Sequence, residues 1–100
     1  MVEENKNGYK LEEIESKEPP YYWLLTTSSG KEFKIQELPG EAVDRAFRHA
    51  EKINGNPLAI LLERSLSHCM TIEEVGKIRG RDYSPLLNAV GEIYNVSVRF

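Results

Sequence analysis

A chain of 100 residues, 40% hydrophobic and 29% charged, has the size and balance of one soluble domain, and no apolar run nears the roughly 20 residues a membrane span needs. Its single cysteine, Cys69, excludes an internal disulfide, and with His49 and His68 it falls short of the four ligands of a structural zinc site. The net charge of −3 resides in residues 1–20, which hold six Glu and three Lys, while residues 21–100 balance ten acids against ten bases. An acidic tail on a neutral body argues against long-range attraction to nucleic acid and for a protein partner.

The opening MVEENKNGYK lacks the charged-then-apolar pattern of a signal peptide, so the expectation is an intracellular, cytoplasmic protein. Residues 1–20 are read mostly as a flexible acidic arm: Val2, Tyr9, Leu11 and Ile14 are few among the glutamates, lysines and asparagines. Within it, Leu11–Glu15 has room for a short edge strand or a helical turn, and Pro19-Pro20 excludes helix. The single globular domain then covers residues 21–100.

Tyr21 to Thr27 is aromatic and β-branched, and Lys31 to Leu38 alternates Phe33 and Ile35 with charged or polar residues, across the short turn Ser28-Ser29-Gly30. This predicts a β-hairpin over residues 21–38, whose apolar face must lie on the helices that follow. Pro39-Gly40 breaks the strand. Ala42, Val43, Ala46, Phe47, Ala50 and Ile53 then trace one face of a helix over about 40–54, ended by Asn54-Gly55.

Asn56-Pro57 caps a leucine-rich helix over about 57–69, with Cys69 on its apolar stripe. Thr71 and Glu74 form a capping box for a helix over 72–79, with Ile72, Val75 and Ile78 on one face and Gly80 as its terminator. Asp82 then caps a helix over 83–94, with Pro85 in its first turn and Tyr83, Leu86, Leu87, Val90 and Ile93 facing the core. The final VSVRF alternates Val96, Val98 and Phe100, either extending beside the hairpin or staying loose. The fold expected is α+β, mainly helical: an N-terminal β-hairpin packed on about four short helices.

Catalytic chemistry finds little footing. Adjacent residues of a helix point about 100° apart, so His68 does not serve Cys69, which reads as a buried structural cysteine. His49 and His68 read as surface histidines, and Glu73-Glu74 as first-turn acids at a helix N-terminus. Gly76 and Gly80 do not make a phosphate loop. No catalytic, cofactor or metal residue is assigned. The corner at Gly80-Arg81-Asp82 invites a small DNA-binding helix-turn-helix regulator using residues 71–94, but its second helix has no Arg or Lys from Asp82 through Val98. Tyr21, Tyr22 and Trp23 alternate across a strand, so at least one aromatic faces away from the core.

The run from Glu32 to Val96 resembles the tail assembly chaperones of long-tailed bacteriophages and prophages. The resemblance lies in a KEFKIQEL-like strand, LPGEAVDRAFRHAEK, a leucine-rich helix and TIEEVGKIRGRDYSPLLNAV. Thr71 to Ile78 is similar to that family's T-[IL]-E-E-[VL]-x-K-[IL] helix, and Gly80 to Leu86 to its G-x-D-[YF]-x-x-L corner. The resemblance implies a non-enzymatic, mostly helical protein that binds the tape measure protein and the major tail tube protein during assembly, in the bacterial host cytoplasm. It also implies self-association into homo-oligomers; that no membrane is a partner is the expectation from the short apolar runs. Within that reading Tyr22, Trp23, Arg81 and Tyr83 are the candidate partner contacts, being aromatic or arginine side chains at an edge or corner.

Overall fold

In the computed structural model, which describes residues 2–3 and 8–95, the first element with a buried face lies in the segment that composition assigns to an arm. Strand β2 (Tyr9–Ile14) pairs antiparallel with β3 (Tyr21–Thr27) in register from Tyr9 opposite Thr27 to Ile14 opposite Tyr22. Tyr9 and Leu11 are buried, at 4% and 2% exposure, while Lys10 stays in solvent. The flexible-arm reading is therefore corrected over residues 9–14. Residues 9–14 hold two glutamates beside three large apolar residues, and the alternation of the pleat turns Lys10 and Glu12 away from the face that Tyr9 and Leu11 bury.

The expected hairpin is thus part of a larger antiparallel sheet. β1 (Val2–Glu3) lies beside Leu11 and Glu12, and β4 (Glu32–Glu37) pairs with the other side of β3, in the order β1-β2-β3-β4. The β3–β4 turn closes with Gly30 at φ 87°, a left-handed conformation that glycine adopts freely. Leu11, Leu25 and Phe33 face one another across three strands, with Ile35 beside them, and all four are buried.

Four helices follow. α1 (Gly40–Ile53) ends where Asn54 turns left-handed at φ 54° and the Gly55 amide reaches back to the Ala50 carbonyl at 2.8 Å, a Schellman closure. Ala46 and Ala50 are buried, whereas Ile53, at the end of the expected apolar face, is 56% exposed. α2 (Pro57–Leu66) starts on Asn56, whose side chain accepts from the Leu58 amide at 3.0 Å. It is the central helix: Leu58, Ile60, Leu61, Leu62, Ser65 and Leu66 are all buried, and it packs on α1, β4 and the last helix. Each fully buried leucine there contributes about 1.5–3 kcal/mol over its exposed state.

α2 stops at Leu66 and does not reach residue 69. Ser67 Oγ donates to the Arg64 carbonyl and the Met70 amide returns to Leu66, so the chain turns out of the helix and Cys69 is exposed, not buried. α3 (Ile72–Gly76) has both halves of the expected capping box, Glu74 amide to Thr71 Oγ1 at 3.1 Å and Thr71 amide to Glu74 Oε1 at 3.0 Å. Its apolar stripe is narrower than the spacing suggests. Val75 is buried, but Ile72 is 71% exposed because five helical residues set only one side chain squarely on the core.

α4 (Gly80–Ile93) begins directly after Arg79, so Gly80 opens this helix and does not terminate the previous one. Asp82 consequently sits within the first turn and is not the cap, and Pro85 falls in the helix interior, where it removes the amide that would bond the Arg81 carbonyl. Tyr94 follows α4 and binds the rim of the sheet: its hydroxyl accepts from the Leu38 amide at 2.8 Å, donates to the Gln36 carbonyl at 3.2 Å and meets Ser65 Oγ at 2.8 Å. Burial pushes this phenol up, keeping it a neutral donor. The expected strand at residues 96–100 lies outside the described residues. Among those described, no helix is long and apolar enough to cross a membrane.

Candidate functional site

Because α2 and α4 occupy one side of the sheet, the other side is the surface on which strand residues meet solvent. β3 places Tyr22 and Leu24 there and Trp23 and Leu25 on the helix side, by the alternation of the pleat. Ile14 is Tyr22's register partner and is 36% exposed, while Leu24 lies between Glu12 and Lys34. The outer face is therefore an apolar strip, Ile14, Tyr22 and Leu24, bordered by charges of both signs.

Tyr22 is held at its rim. Lys34 Nζ lies 4.3 Å from the ring centroid, and the His68 ring meets it edge-on at 5.3 Å and 67°. His68 Nε2 is 2.9 Å from the Lys34 carbonyl, an acceptor, so this nitrogen carries the proton. With Tyr94 on Gln36 and Leu38, His68 satisfies polar groups along the outer edge of β4 and blunts it against strand addition.

The other nominated residues lie elsewhere. Trp23 faces the core, and its Nε1 donates to Glu37 Oε1 at 2.9 Å. Tyr83 is half-buried against the core, its phenol pushed up first by burial and then by Glu63. Arg81 is exposed on the first turn of α4, and two positions along a helix lie about 200° apart, so Arg81 and Tyr83 diverge. The four residues are not gathered into one surface; Tyr22 alone lies on the outer sheet face. No family model, curated protein or solved structure matches this chain.

Cys69 Sγ stands 3.8 Å from the same His68 Nε2 that serves the Lys34 carbonyl. Partial desolvation by its neighbours and then Glu74 push the thiol up, against a smaller opposing pull from Lys34, which favours the thiol over the nucleophilic thiolate. No three His, Cys, Asp or Glu side chains come together for a metal among the described residues. As a DNA reader the corner is poorly equipped: Asp82, Pro85, Leu86, Leu87, Ala89, Val90 and Gly91 of α4 are buried, and its exposed residues are Gly80, Arg81, Ser84 and Glu92.

Ile14, Leu24 and Lys34 are the outer-face residues that the sequence does not single out. Leu24 was within reach, since it shares Tyr22's parity in YYWLLTT. Ile14 was not, because its place depends on β2 pairing with β3, which glutamate-rich composition hides.

Proposed function

We propose that the protein is a non-enzymatic tail assembly chaperone of a phage or prophage, holding the tape measure protein, the major tail tube protein or both before they polymerise in the host cytoplasm. The observation that carries the proposal is the outer sheet face. Ile14, Tyr22 and Leu24 form an apolar strip on a sheet whose opposite face is buried against helices. A strip of three apolar side chains among charges of both signs suits a contact that must be made and then released when the partner polymerises.

The likeness of Thr71 to Leu86 to the chaperone pattern supports the same reading, and here the threonine and glutamate of that pattern form a reciprocal cap. Self-association belongs to the proposal as well. The test is co-purification of the full chain with tail tube and tape measure proteins encoded beside it, with random duplex DNA at moderate salt as control. Retention of either tail protein without DNA is the expected result. Retention of DNA alone would replace the proposal with a regulator built on residues 71–94.

A further inference from the structure

A second surface lies where the β3–β4 turn meets the corner between α3 and α4. Phe33, Met70 and Ile78 lie in a groove there of about 290 Å³, with Lys31, Lys77 and Arg79 around it. Its floor is apolar: Phe33 is buried at 8% exposure, and Met70 and Ile78 are half-buried against the core. Its rim is cationic, with Lys31, Lys77 and Arg79 all exposed.

The two carboxylates in the groove are turned to internal donors. Glu74 Oε1 accepts the Thr71 amide at 3.0 Å, and Asp82 Oδ1 accepts the Ser29 hydroxyl at 2.8 Å. Among the described residues Lys77 and Arg79 form no ion pair, the pair observed being Arg48 with Asp44 at 3.0 Å. The Ser29–Asp82 bond joins the hairpin turn to the first turn of α4 and so fixes the two walls of the groove before any ligand arrives.

We infer that this groove docks an acidic segment of a partner protein, with an apolar side chain seated over Phe33, Met70 and Ile78 and flanking carboxylates paired to Lys31, Lys77 and Arg79. Charge complementarity selects the sign of the occupant, since a cationic rim around an apolar floor matches carboxylates spaced about a leucine or phenylalanine. The apolar floor and the two resident carboxylates favour such a peptide over a phosphate backbone, which brings dense charge and nothing to bury. The inference deepens the proposed function by naming the chemistry of a partner segment, yet it holds for any protein partner.

The test is fluorescence anisotropy of the full chain with a labelled peptide in which leucines are interspersed among glutamates. A lysine-for-glutamate version of the peptide and a random single-stranded oligonucleotide serve as competitors. Lys77→Glu with Arg79→Glu should weaken binding at least about tenfold, the scale of two charge-assisted contacts. Lys52→Glu, an exposed charge reversal on α1, should leave it unchanged, and thermal melts should show all variants folded. No binding of the acidic peptide, equal loss with Lys52→Glu, or stronger competition by the oligonucleotide than by unlabelled acidic peptide would each overturn the inference. These readouts involve no tail protein, so failure of the co-purification and failure of the groove are separate outcomes.

Discussion

The two faces of the sheet are built from the same strands and do different work. On the helix side Leu11, Leu25, Phe33 and Ile35 lose nearly all contact with water, and their burial against α2 and α4 is a main source of stability. On the outer side Ile14, Tyr22 and Leu24 stay partly in solvent among Lys10, Glu12 and Lys34. The contrast teaches that apolar content alone does not identify a core; parity along the strand does. Substitution on one face should unfold the protein, and on the other should change what it binds.

The largest break of this contrast is removal of residues 1–14. That deletes β2 and exposes the edge of β3, and the loss of stability should exceed that of a single core leucine; an unchanged urea midpoint would return this segment to an arm. Next comes Leu25→Ala, at 0% exposure in the middle of the sheet, which should cost about 2–5 kcal/mol in urea unfolding. Thr71→Ala removes one half of the capping box and should cost about 1 kcal/mol, leaving core and outer face untouched.

Acid sharpens the comparison from another side. The Ser29 hydroxyl, then Thr27, Arg81 and Lys31, hold the Asp82 carboxyl below the ordinary aspartate range against the opposing effect of burial. A carboxylate with a lowered native pKa contributes stability that is fully present above the unfolded pKa and is lost as pH falls through the native one. Stability should therefore decline below the ordinary aspartate range, and Asp82→Asn should flatten that decline in melts taken across acid pH. Smallest in stability are the outer-face changes: Tyr22→Ala removes the ring beneath Lys34 and should cost about 0.5–1 kcal/mol, the scale of an exposed cation–π contact.

Local structure is legible in the sequence. The hairpin, the Asn54-Gly55 stop, the Asn56 cap and the Thr71–Glu74 box are each decided by a few neighbouring residues. What is not legible there depends on tertiary partners. Tyr9 and Leu11 are buried because β3 offers an edge and α4 a second contact, the Tyr9 hydroxyl bonding Glu92 across most of the chain. Gly80 reads equally as a stop or a start until the packing of α4 decides. Cys69 leaves the apolar stripe because the chain turns three residues earlier than its periodicity suggests. Of the candidate contacts, Tyr22 was legible from strand parity. The rest of the outer face and the groove beside Phe33 were not, since each combines elements distant in sequence.

The most direct test of the account is co-elution of the protein with its neighbouring tail proteins, comparing the natural chain with a Tyr22→Ser, Leu24→Ser double variant after thermal melts confirm that both fold. The account predicts that the natural chain captures a tail protein and that the variant still unfolds cooperatively, at a melting temperature lowered by several degrees, but loses capture. Equal capture by both chains, or loss that appears only together with unfolding, would contradict the assignment of the outer sheet face as the binding surface.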